Sequence, residues 1–171
     1  MIQTITTGLT AVAASFNGAA NASESGGQFV LEDFFVGRTV AEAKFTAING
    51  VKRHFRIDIT GVWENDTLSL HEEFSFEDGE TDTKIWYFEK KAKGRYIASR
   101  SDLLRPVEAT IRNNTLRYTY SLYLDPENRK NVVLFRDRIT VVDNRTLQNT
   151  AVVHKFGIPV GLVRGTFVKQ D

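Results

Sequence analysis

The feature that most constrains this chain is a period-two alternation of apolar and polar residues, interrupted by turn residues every eight to twelve positions. It starts near Phe29 and runs almost to the C-terminus. "AEAKFTA" alternates from Ala41 to Ala47 and is followed by Asn49-Gly50, a two-residue hairpin signal. Phe55, Ile57, Ile59, Gly61 and Trp63 alternate next, then Leu68, Leu70, Phe74 and Phe76. Asp78-Gly79, Lys93-Gly94, Asn113-Asn114 and Asp143-Asn144 punctuate later runs, of which Leu116 to Leu124 and Val133 to Val141 are the cleanest. Side chains on a strand point to alternate faces, so these runs read as half-buried strands, about nine or ten of them. Only Phe29–Phe35, "FVLEDFF", suits a helical turn. A meander of this length exposes unpaired edges unless it closes on itself. The expected fold is therefore all-β, a closed antiparallel up-and-down barrel, with a two-sheet sandwich as the alternative. The barrel domain is expected over 29–171.

Residues 1–28 stand apart. Up to position 29 there is no Lys or Arg and one acid, Glu24. "LTAVAASF" is a short apolar segment, and Ala20-Asn21-Ala22 has the small-x-small form of an export cleavage site. The reading is a signal-like or disordered segment, with an exported or periplasmic protein expected and a cytoplasmic one as the alternative. No run approaches the roughly 20 apolar residues of a membrane-spanning helix.

A net charge of +1 brings no expectation of nucleic acid, and the local basic run Lys90, Lys91, Lys93 and Arg95 reads as a solvated strand end. With no cysteine there are no disulfides or thiolate chemistry. The three histidines, His54, His71 and His154, lack metal-ligand spacing, and no G-x-S-x-G elbow or phosphate-binding loop is present. No metal, cofactor or catalytic residue is assigned.

"HEEFSFEDGE", His71 to Glu80, gathers five carboxylates and a histidine. With Asp78-Gly79 as a two-residue turn, Glu73 pairs with Lys84, Glu72 with Ile85 and His71 with Trp86. Leu70, Glu72, Phe74, Ile85 and Tyr87 then share the apolar face, and His71, Glu73 and Lys84 the wet one. Only Glu72 falls among apolar residues, where an unpaired carboxylate costs several kcal/mol. Asp137 lies in phase with Val133, Phe135 and Ile139, and Asn149 and Lys155 lie in phase with Leu147, Ala151 and Val153. Glu72, Asp137, Asn149 and Lys155 are thus the candidate interior polar cluster, with Lys155 expected to partner Glu72 or Asp137. Trp63 is added as a candidate pocket residue. Arg164 and Lys169 are read as wall or rim charges.

"LSLHEEFSFEDGE" (68–80), Trp86, "GRY" (94–96), "FRDR" (135–138) and "HKFGIPVGLV" (154–163), in this order, resemble the bacterial domain of unknown function 3833 family, from about Leu31 to Val168. The resemblance implies a calycin-like, or lipocalin-like, barrel and singles out the same four polar positions. Many family members look like exported lipoproteins of Gram-negative bacteria, whereas this chain has no cysteine to carry a lipid. The resemblance brings no activity with it.

Nineteen aromatic residues (twelve Phe, five Tyr, two Trp) with a few inward polar groups suit a pocket for a lipid or other apolar small molecule. Two other readings stand beside it. One is a structural or interaction barrel with a filled core. The other is an acid–base hydrolase using Glu72 and Asp137, for which a Lys155 partner would instead favour a structural ion pair.

Overall fold

The computed structural model describes residues 28–125 and 129–171. The segment expected to be signal-like or disordered lies, but for its last residue, outside the described residues. Helix α1 (Leu31–Phe35) precedes ten strands: β1 (Gly37–Ala47), β2 (Lys52–Glu64), β3 (Thr67–Phe76), β4 (Thr81–Ala92), β5 (Arg95–Ser99), β6 (Val107–Arg112), β7 (Thr115–Tyr123), β8 (Val132–Val141), β9 (Thr146–Lys155) and β10 (Ile158–Lys169). Each strand pairs antiparallel with its sequence neighbours, and β1 closes on β10 from Thr39↔Lys169 to Ala47↔Gly161. The expected up-and-down barrel is the fold, and the sandwich is excluded.

Turn chemistry sets the register. Asn65-Asp66 and Asn113-Asn114 have both residues at positive φ, as two-residue hairpin loops demand. Asn49-Gly50 and Asp78-Gly79 do not follow that pattern. Ala47 N–H bonds to the Val51 carbonyl and Phe76 N–H to the Glu80 carbonyl, so each loop holds three residues, with a positive-φ glycine last. The extra residue moves the β3–β4 pairing by one position. Glu72 faces Lys84, His71 faces Ile85 and Leu70 faces Trp86. A one-residue slip flips a strand's faces. Trp86 and Phe88 are therefore buried, while Ile85 and Tyr87, expected inside, are outside. His71 does not stack on Trp86; it is exposed, with Nε2 3.7 Å from Glu73.

The barrel has two unlike ends. At the end formed by the start of β1 and the end of β2, α1 caps the interior. Leu31, Phe34 and Phe35 are buried, and the Phe35 ring meets Phe167 edge to face at 5.9 Å. Each such side chain contributes about 1.5–3 kcal/mol. Glu32 pins this plug, because Lys90 pairs with one carboxylate oxygen and the Tyr96 hydroxyl donates to the other at 2.7 Å. Burial pushes the Glu32 carboxyl up, but these hydrogen bonds more than reverse it and hold it below the usual range. Lys90, expected as a solvated strand-end charge, is thereby half-buried. Inward residues around the plug, among them Ile59, Leu68, Leu116 and Leu147, are fully packed.

At the other end nothing among the described residues plays the part of the plug. Inward-facing Ala43, Phe45, Phe55, Phe74, Phe135 and Val163 are only half-buried. The interior is fully packed at the α1 end, and at the other end its inward residues keep part of their surface exposed and form the wall of a shallow bowl.

Gly61 allows the plug to seat. A Cβ there would lie 1.9 Å from the Phe35 carbonyl oxygen, a backbone atom with no rotamer to escape into. Gly61→Ala is expected to cost about 3 kcal/mol through overpacking. Urea unfolding measures the loss, and an unchanged midpoint would show that the plug does not press on β2.

Candidate functional site

The floor of the bowl is polar. Glu72 projects inward from β3 between Ile59 of β2 and Lys84 of β4. It is 8% exposed, and among the described residues no group hydrogen-bonds its carboxyl. Burial pushes this carboxyl up to about 7; the positive charge of Arg100 opposes the shift, and the charges of Asp137 and Asp102 add to it.

Arg100 is the principal interior cation. Tyr96 and Ala98 of β5 face inward, and Arg100 continues that phase just beyond the strand. Its guanidinium lies 4.5 Å from the Trp86 ring and 6.0 Å from the Tyr120 ring. Nε and Nη2 donate to the two oxygens of buried Asp102 at 2.6 and 3.0 Å. Burial works to lower the Arg100 pKa, but the hydrogen bond to Asp102 and the charges around it outweigh that and raise it. Lys84 Nζ adds a second positive charge, 3.0 Å from Asp82 and 3.8 Å from Asp102.

Asp137 completes the floor from β8. The Tyr120 hydroxyl donates to one of its oxygens at 2.8 Å, and the Asn149 amide donates to the other. Burial raises the Asp137 carboxyl, and the hydrogen bonds from Asn149 and Tyr120 pull it partly back. Burial likewise raises the Tyr118 and Tyr120 phenols well above their ordinary range, so both remain protonated donors at neutral pH. Rings surround the floor: Trp86 meets Tyr118 and Tyr120 edge to face at 5.6 and 5.1 Å, and Tyr120 stacks on Phe135 at 5.3 Å.

Three of the five expected site residues belong here: Glu72, Asp137 and Asn149. Lys155 does not partner Glu72 or Asp137. It keeps the inward phase but sits at the last position of β9, where Nζ donates to Asn131 Oδ1 at 2.6 Å. Trp63 lies at the plugged end, with Lys90 Nζ 5.7 Å from its ring. The alternation that exposes Glu72 also reaches Arg100, two residues after Ala98 and one beyond the end of β5. The three-residue loop turns Lys84 from the wet face to the inner one, and Asp102 sits in a loop whose inward fold has no periodic signal.

The arrangement can hydrogen-bond and orient a polar group. Each Asp137 oxygen accepts one hydrogen bond, whereas neither Glu72 oxygen accepts one from a described residue. Among the described residues no group of three or more His, Asp or Glu is placed to hold a metal ion, and no helix is long and apolar enough to cross a membrane.

A family model described as protein of unknown function (DUF3833) matches residues 8–169. The chain belongs to the DUF3833 family. No curated protein matches this sequence. Solved structures with similar barrels include the S-type phycobiliprotein lyase CPES from Guillardia theta, with a TM-score of 0.60 and 14% identity over 84% of this chain and 94% of that one. Rv2717c from M. tuberculosis has a TM-score of 0.58 and 11% identity, covering 80% and 93%. A DUF3598-family protein of unknown function from Nostoc punctiforme has a TM-score of 0.58 and 12% identity, covering 84% and 51%. At these identities the likeness is one of fold, and it places this DUF3833 chain among lipocalin-like barrels.

The raised carboxyl makes stability depend on pH. Between the ordinary value of 4.5 and about 7, the native protein keeps a proton on Glu72 that the unfolded chain has lost, so stability falls as pH rises through that window. The fall amounts to about 3 kcal/mol by about pH 8. Glu72→Gln should remove this slope, leaving the variant more stable than the parent at about pH 8 and no better at about pH 4. Urea midpoints across that range provide the check; parallel profiles for the two proteins would contradict it.

Proposed function

We propose that the barrel binds an apolar small molecule, such as a lipid, in its open bowl, with the polar end of the ligand against Glu72. The observation that carries this reading is the buried Glu72 carboxyl, which accepts no hydrogen bond from a described residue and is set below inward aromatic residues that the protein leaves half-buried. A buried polar group without a partner costs about 1–3 kcal/mol, and a ligand donor would recover that cost. Phe45, Phe55, Phe74 and Phe135 offer the apolar wall that such pockets use, and the Arg100–Asp102 pair holds the floor rigid. A barrel with a filled core would bury these aromatic residues as thoroughly as Ile59 or Leu68 at the plugged end. The likeness of fold to the S-type phycobiliprotein lyase suits the reading. The small-x-small motif at Ala20–Ala22 supports a place for the protein in the bacterial envelope.

Two measurements test the reading. Native mass spectrometry of the purified chain is expected to show a co-purifying molecule or, after organic extraction, uptake of one molecule of an apolar fluorophore such as phenylnaphthylamine. Phe55→Lys, which puts a charge in the mouth, should weaken uptake roughly tenfold or more. A clean apo mass together with no fluorophore uptake would overturn it.

A further inference from the structure

The rim of the bowl carries a second, independent signature. The β1–β2 and β9–β10 hairpins stand side by side there, tied by the Ile48 N–H to the Val160 carbonyl at 2.9 Å. Their tips are apolar and exposed: Phe156 is 90% and Ile48 79% exposed, and Val51 and Ile158 are also exposed. Phe156 has a φ of 52°, a left-handed conformation that a bulky residue rarely adopts. The equivalent position is Asn in both other hairpins whose two loop residues have positive φ. A strained, solvent-exposed phenylalanine at a loop tip points to a role outside folding.

Above these tips the outer wall changes character. Outward-facing Leu162 and Val152 are cross-strand partners and only half-buried. Two residues further from the rim runs a lateral row of consecutive cross-strand partners: His54, Lys44, Arg164, Thr150, Arg138 and Arg117. Like charges directly opposite one another repel, and none of these side chains forms an ion pair with a described residue. Lys44, His54, Arg164 and Thr150 line a recess of about 580 Å³ on this wall. Glu42, paired with Arg56, also lines the recess, and Glu77, Asp78 and Glu80 stand at the adjacent β3–β4 hairpin, where Arg53 pairs with Asp78 and Glu80.

We propose that the β1–β2 and β9–β10 edge of the rim docks on an anionic phospholipid surface, with Phe156, Ile158, Ile48 and Val51 entering the interface and the Lys44–Arg164–Arg138 row facing the headgroups. The spacing suits that partner. From Ile158 to Arg164 the chain advances about 20 Å at about 3.3 Å per residue, or roughly 15 Å after strand tilt. Tips buried by about 5–10 Å would leave the basic row within about one Debye length of the lipid phosphates. Basic side chains near such a surface each add attraction to anionic lipid. This proposal concerns the outside of the rim and does not require the bowl to be occupied, although it brings the mouth toward a source of apolar ligand.

Flotation of the full chain with vesicles tests it. Binding to phosphatidylcholine vesicles containing phosphatidylglycerol is expected, with much weaker binding to phosphatidylcholine alone and loss of binding as salt rises. Phe156→Asn suits the positive φ, so it should unfold at the same or a higher temperature while partitioning roughly tenfold or more weakly. The pair Lys44→Glu and Arg164→Glu should abolish the preference for anionic vesicles. Failure to bind either vesicle, equal partitioning of Phe156→Asn, or self-association through the basic wall in place of vesicle binding would each overturn the proposal.

Discussion

Where the Phe35 carbonyl rests against the bare Cα of Gly61, a five-residue helix closes one end of a ten-stranded barrel. That contact divides the interior. Below it, Leu31, Phe34 and Phe35 complete a dry core that holds the strands at native packing density. Above it, the same alternation continues with no second plug among the described residues, and the inward aromatic residues keep part of their surface open. Glu72, Arg100 and Asp137 lie at the boundary between the two regimes. They are deep enough to be desolvated and shallow enough to face the bowl.

Electrostatics at that boundary are unevenly settled. Arg100 and Asp102 satisfy one another through two hydrogen bonds, and Asp137 is held by Tyr120 and Asn149. Glu72 has the field of Arg100 but no hydrogen bond of its own, so burial dominates and its proton is retained to about 7. A structural ion network would normally bring a partner to such a group. Among the described residues none does so, which is a cost to the fold, and sites that bind ligands commonly carry such costs.

Much of the fold was legible because period-two alternation and turn residues are local signals. The strand phases of Glu72, Asp137 and Asn149 follow directly from that pattern, and so does the barrel. Three features of the site did not follow, each for a physical reason. Asp78-Gly79 looks like a two-residue turn, yet the loop takes three residues, and that single residue exchanges Ile85 and Tyr87 for Trp86 and Phe88 in the core. Arg100 and Asp102 lie beyond the end of β5, where alternation lapses and only the chain path carries the side chains inward. Lys155 has the right phase but the wrong height, because phase says nothing of how far along the barrel axis a residue stands. The plug's ion pair, Glu32 with Lys90, joins residues far apart in sequence through a helix too short to show a helical period.

Glu72 is an interior glutamate, buried and without a hydrogen bond from any described residue. Carbon-detected NMR titration of the glutamate side-chain carboxyls observes this group directly. One resonance should titrate at about 7, vanish in Glu72→Gln, and shift its midpoint when an apolar ligand fills the bowl. If every glutamate titrates near the ordinary value of about 4.3, Glu72 is hydrated or paired, and the polar floor described here is not the heart of a binding site.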